Sequence, residues 1–164
     1  MKILVTAASK HGSTAEVSER IAEILRENGL EVVNQSPENV LSLDSFDAVV
    51  IGSAVYMTNW MAPAKDFVAR FSEELRHIPV WAFSVGLSGV PKGTVQDPSR
   101  VGPVLVEVAP VEHQTFPGRL NPSVLNLRER SIARLGGAVE GDFREWDQVE
   151  AFAKKIANEL NTGN

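Results

Sequence analysis

The sequence predicts an α/β domain built as a three-layer sandwich, a five-stranded parallel sheet with helices on both faces. Two observations carry this. Short runs that are apolar almost throughout alternate with longer segments whose apolar residues recur at helical spacing, the pattern of strands buried on both faces. The chain has 164 residues, 43% of them hydrophobic, which suits one well-cored domain and is too short for two.

Strands are expected at residues 2–6, 31–35, 48–52, 80–84 and 112–116. The first, Ile3-Leu4-Val5, runs into Ser9-Lys10-His11-Gly12-Ser13-Thr14 and then a helix whose stripe is Val17, Ile21, Ile24 and Leu25. Residues 37–47 are short and polar for a crossover, so at most a turn or two of helix is expected there. A second helix is read from Phe67, Val68, Phe71 and Leu75, and a further one within 97–108 would start at Pro103. The last helix carries Val149, Phe152, Ala153, Ile156 and Leu160, with Asp142 and Glu145 at capping-box spacing after Gly141. Between the fifth strand and that helix, residues 117–141 are longer than the usual connection of about 2–6 residues, which marks an insert.

Composition removes several functions. A net charge of −5 argues against a general nucleic-acid binder, so no nucleic-acid partner is expected. The absence of cysteine excludes disulfides, thiolate metal sites and cysteine nucleophiles, so redox chemistry would have to come from a cofactor. No apolar run approaches the about 18 residues of a membrane span, and a cytoplasmic protein is expected.

In a parallel sheet, ligands bind outside the carboxyl ends of the strands. The turn Ser9, Lys10, His11, Gly12, Ser13, Thr14 reads there as a phosphate cradle, because a helix N-terminus offers unpaired N–H groups and hydroxyls add donors without a metal. An ordinary helix cap has the same residues. A second strand-end segment carries Ser53, Ala54, Val55, Tyr56, Met57, Thr58, Asn59 and Trp60, and a third Val85, Gly86, Leu87, Ser88 and Gly89. Two aromatic rings and a free backbone edge suit a planar phosphorylated heteroaromatic, with flavin mononucleotide (FMN) the simplest candidate. Other strand-end chemistries lack their residues: no acidic phosphoacceptor site, no lysine in Gly12-Ser13-Thr14 for a Walker loop, no three-glycine dinucleotide fingerprint. His77 and His113 receive no role, and neither a catalytic side chain nor a metal site is expected.

Ser9, Gly12 and Thr14 resemble the phosphate-loop pattern of the flavodoxin family, with Lys10 and His11 where hydroxyl residues are usual and Ser13 where Asn is frequent. The resemblance implies a sheet of order 2-1-3-4-5 with FMN at the switch point. Within that family, Val50-Ile51-Gly52-Ser53-Ala54-Val55, Phe83-Ser84-Val85-Gly86-Leu87 and Asp142-Phe143-Arg144-Glu145-Trp146-Asp147-Gln148-Val149 look most like the menaquinone-dependent protoporphyrinogen IX dehydrogenase branch. That branch tends to carry a basic residue and a glycine where Tyr56 and Thr58 stand. It implies oxidation of a porphyrinogen in heme biosynthesis, with a quinone or a protein as electron acceptor and the protein tuning the flavin. An electron-carrier flavodoxin and a cofactor-free binding module stay open as alternatives. The insert sets Arg119, Arg128, Arg130 and Arg134 against Glu129 and Glu140 among Val124, Leu125, Leu127, Ile132 and Leu135. It is expected to cover the sheet edge as an amphipathic helix, or to dock a porphyrin, a partner or the inner membrane face.

Overall fold

Strand and helix alternate as the apolar pattern requires. The computed structural model describes residues 1–135, 137 and 139–163; Gly136 and Ala138 of the insert and Asn164 lie outside the described residues. In chain order the elements are β1 (Lys2–Ala8), α1 (Ser13–Glu27), β2 (Glu31–Asn34), β3 (Ala48–Tyr56), β4 (Asn59–Trp60), α2 (Ala62–Arg70) and α3 (Ser72–Leu75). They continue with β5 (Val80–Gly86), α4 (Gly102–Val108), β6 (Glu112–Pro117), β7 (Arg119–Leu120), α5 (Leu127–Leu135), β8 (Gly141–Asp142) and α6 (Trp146–Thr162). The main sheet runs β2-β1-β3-β5-β6 with every neighbouring pair parallel. Since β4 is a short arm paired to β3, this is the expected 2-1-3-4-5 order of the five long strands.

Because successive strand residues face opposite ways, the sheet feeds two cores. Ile3, Val5, Val50, Trp81, Phe83 and Val85 meet the α1 stripe and Val149, Phe152, Ala153 and Ile156 of α6 on one face. Leu4, Val49, Ile51 and Ala82 meet Phe67, Val68, Phe71 and Leu75 on the other. Phe116 stands edge-on to Phe152 at 5.5 Å between ring centres, a favoured aromatic geometry. Arg20 of α1 reaches Glu150 of α6 at 2.8 Å, joining those helices at the surface. Among the described residues no helix is long and apolar enough to cross a membrane.

The strands that carry the site run further than the sequence suggests. The third strand is expected to end at Gly52, yet β3 continues through it to Tyr56. The glycine is there for packing: a Cβ at Gly52 would lie 2.2 Å from the Phe83 ring. The stripe Phe67 to Leu75 is interrupted at Phe71, so it serves α2 and α3 rather than one helix. Periodicity reports the buried face, which both pieces share, and not backbone continuity. The capping box expected ahead of α6 is absent. Its N-cap is Glu145 with no side-chain cap bond, and Asp142 instead accepts from Arg144, through N–H at 3.1 Å and Nη2 at 2.7 Å.

Candidate functional site

Strand register brings three chain segments to one rim. Ala8 of β1 pairs with Ser53 of β3, Ser53 and Ala54 pair with Ser84 and Val85 of β5, and Gly86 pairs with Pro117 of β6. The segments leaving these strand ends therefore gather at the carboxyl edge of the sheet.

The first segment is the turn from Ser9 to Thr14. Gly12 is left-handed (φ 89°), which lets the chain turn sharply from strand to helix, and its carbonyl accepts the first helical bond from Glu16 N at 3.0 Å. The opening N–H groups of α1 thus face outward beyond the end of β1. Ser9 Oγ and Ser13 Oγ are buried with no hydrogen-bond partner, and Thr14 beside them is buried. An unpaired buried hydroxyl costs about 1–3 kcal/mol, so two on one tight turn fit a place that receives acceptor oxygens. The other two orphaned atoms among the described residues, Thr6 Oγ1 and Trp81 Nε1, belong to the sheet. A cleft of ≈ 210 Å³ opens at the turn between Ser9, Gly12, Ala15, Ser36, Met61 and Pro63. A larger groove of ≈ 410 Å³ lies on the flank of α1, lined by Glu16, Glu19 and Glu23 together with Arg20 and Arg144.

The second segment is a hairpin and not a loop. β4 turns back on β3 with Val55 opposite Trp60 and Tyr56 opposite Asn59. Met57 and Thr58 form the two-residue turn with both φ positive, 51° and 63°, as the right-handed twist of a tight hairpin demands. Arg100 N donates to Thr58 O at 2.9 Å and pins the tip. Tyr56 is 38% exposed and Met57 58%, and Asn59 accepts from Trp60 N. Ala54 and Val55 are half-buried.

Trp60 and Ser53 correct the sequence reading. Trp60 is 2% exposed, with Nε1 donating to Ser84 Oγ at 2.7 Å, so its ring belongs to the core and offers no face to a ligand. Ser53 is fully buried, donating to Ala54 O and accepting from Met61 N at 2.9 Å, which ties the hairpin base to the start of α2. Ser53 lies in the stretch of β3 that is buried on both faces, and Trp60 is carried inside by the return of β4; their aromatic and polar character alone does not reveal it. Ser84 in turn bonds His113 Nε2 at 2.8 Å. With its Oγ accepting from the indole, Ser84 still has a hydrogen to share with that ring nitrogen. Burial holds the His113 pKa below its ordinary value, and the negative charge of Asp97 opposes this. Sequence alone does not connect these three residues, because the link crosses two strand pairings.

In the third segment Val85 is buried and packs in the core, another correction, while Gly86 and Leu87 are half-buried. Gly118 N donates to Gly86 O at 2.9 Å, and a Cβ on Gly86 would approach Val55 to 3.2 Å. Ala54, Val55, Tyr56, Met57, Asn59, Gly86 and Leu87, with the turn from Ser9 to Ser13, remain at least partly exposed at the rim.

The insert departs from an edge-covering helix. β7 and β8 pair antiparallel, Arg119 opposite Asp142, so the segment leaves and returns at one point. Its helix α5 points its N-terminal turn at the phosphate turn: Glu129, 8% exposed, takes Lys10 Nζ and His11 Nε2, both at 2.9 Å. Those bonds, Lys10 first, hold the Glu129 carboxyl far below the usual carboxylate range, at about 2. Arg144 bonds both Asp142 and Glu16, and Arg119 lies 3.8 Å from Glu16, fastening the insert base to the first turn of α1. Lys10 Nζ also stands 5.8 Å from the Tyr56 ring centre. Glu129 was legible only as one half of an Asn-x-x-Glu helix start; the oddity of Lys10 and His11 in the turn was its other half.

A family model described as a flavodoxin domain matches residues 4–147. The chain belongs to the flavodoxin family. It is 25% identical over 173 residues to the protoporphyrinogen IX dehydrogenase [quinone] of Escherichia coli (strain K12), covering 96% of each chain. Among solved structures, a flavodoxin from Pseudomonas aeruginosa superposes with a TM-score of 0.63 at 14% identity, covering 98% of this chain and 99% of that one. The rubredoxin oxygen:oxidoreductase of Desulfovibrio gigas reaches 0.65 at 14% identity, over 98% of this chain and 36% of the longer one. Both show a shared fold.

This flavodoxin-family member is an oxidoreductase with FMN as its cofactor and with redox partners. The residues fit: Ser9, Ser13 and Thr14 with the α1 N–H groups would hold the phosphate, and Tyr56, Met57, Gly86 and Leu87 the flavin ring. FMN supplies the electron chemistry, which no side chain of this cysteine-free protein could.

Proposed function

We propose that this protein oxidises protoporphyrinogen IX to protoporphyrin with a quinone as electron acceptor. The observation that carries the reading is the insert: α5 is fastened to the turn from Ser9 to Thr14 through Glu129, and it carries the exposed Arg128 and Arg134. A porphyrinogen bears carboxylates on an apolar macrocycle, and a basic helix with outward Leu127 (81% exposed) and Leu135 (88%) matches both characters. The similarity to the E. coli dehydrogenase covers 96% of both chains, which supports the same assignment. The chain's own part is to bind and orient: the turn anchors the phosphate, the pinned hairpin fixes the ring, and the insert holds the substrate. On this reading the protein works in the cytoplasm, meeting its quinone at the inner membrane face with the basic insert as the contact.

The test is turnover of protoporphyrinogen by FMN-loaded protein with a menaquinone analogue, read by porphyrin fluorescence. Flavin-loaded protein that does not turn over would instead support an electron carrier, a reading favoured by the end-to-end match to the Pseudomonas flavodoxin.

A further inference from the structure

Glu129 is held in place from its own helix. Its Oε1 accepts from Asn126 N at 3.1 Å while its N–H donates to Asn126 Oδ1 at 2.8 Å, a reciprocal helix cap that fixes the side chain. Oε2 is left to take Lys10 and His11, both at 2.9 Å. Those two residues lie in the same turn as the unpartnered Ser9 and Ser13 hydroxyls. The side-chain donors nearest the phosphate cradle are therefore spent on an internal carboxylate.

We propose that Glu129 competes with the flavin phosphate for Lys10 and His11, and so sets how strongly the site prefers a phosphorylated flavin to an unphosphorylated one. The proposal rests on FMN as cofactor. A phosphate monoester near pH 7 carries most of a second negative charge and has three acceptor oxygens. It needs the donors that Glu129 holds, and it is repelled by the charge of Glu129. Lys10, half-exposed on a four-carbon stem, can swing between the two anions, whereas the capped Glu129 cannot follow. The competition acts on the phosphate and leaves the ring's contacts alone.

The experiment compares FMN and riboflavin by quenching of flavin fluorescence, in the wild type and in Glu129→Gln, which removes the charge and keeps an acceptor for the cap. The ratio of the riboflavin dissociation constant to that of FMN reports the phosphate alone. It is expected to rise about tenfold in E129Q, the worth of one charge-assisted hydrogen bond, with riboflavin affinity unchanged. In the background Lys10→Met the same substitution should gain less than about threefold, because the main donor is gone. Lys10→Met alone, at a surface position where folding is not at stake, should lower the ratio. A ratio that stays level or falls in E129Q overturns the proposal and leaves Glu129 as an anchor of the insert. Equal binding of riboflavin and FMN by both wild type and E129Q overturns it too, whereas failure to bind either flavin overturns the cofactor reading itself.

Discussion

Replacing Trp60 by Phe separates a core residue from a flavin-stacking one. The indole sits 2% exposed with its N–H on Ser84. The smaller ring removes part of the buried volume, for about 1–2 kcal/mol of transfer and cavity cost. Losing the hydrogen bond adds about 1 kcal/mol, although Ser84 keeps His113 as a partner. The sum, about 2–3 kcal/mol, lowers the melting temperature by roughly 5–10 °C in a domain of this size. FMN affinity, measured by fluorescence titration below the transition, should change by less than about threefold, since the ring has no exposed face to stack on. The reasoning is refuted if affinity falls tenfold or more while the melting temperature stays put.

Thr14→Val should weaken FMN by about tenfold and leave riboflavin binding unchanged, because only the phosphate meets that turn; titration with both flavins checks it. Gly52→Ala forces a methyl into the Phe83 ring, and should cost at least about 1–3 kcal/mol by urea denaturation. The Glu129 carboxyl is depressed to about 2 from 4.5, so its ionised form belongs to the folded insert. Its contribution to docking is complete above pH 4.5 and is lost as pH falls toward 2. Hydrogen exchange of α5 amides across that range reads it, and protection that stays flat in wild type while the rest of the fold holds would refute the latch.

The alternating strands and helices were readable because apolar runs and helical stripes are the direct imprint of burial on sequence, whereas the strand order came only from the resemblance to the flavodoxin family. Ile3-Leu4-Val5 and the α1 stripe needed nothing beyond local spacing. The tight turn between β1 and α1 was readable for the same reason: strand end, glycine and helix start are contiguous. The hairpin was not, since Gly52 looked like punctuation until the Phe83 ring above it explained the missing side chain. Trp60, Ser84 and His113 lie on three strands, and only pairing brings them together. Glu129 is 118 residues from His11. Its partnership depends on how a long excursion folds back, which no local period encodes.

The pairing of Arg119 with Asp142 makes the insert a closed detour whose two ends meet. Its described attachments to the flavin-facing turn are polar, through Glu129, and its outward leucines are exposed rather than shared with either core. Removing the detour would therefore cost neither hydrophobic cluster a residue, and a short turn could bridge the gap. Such a segment is a graft point: evolution or an engineer can lengthen, exchange or excise it to redirect which molecule reaches the flavin while the folding of the sheet stays unchanged.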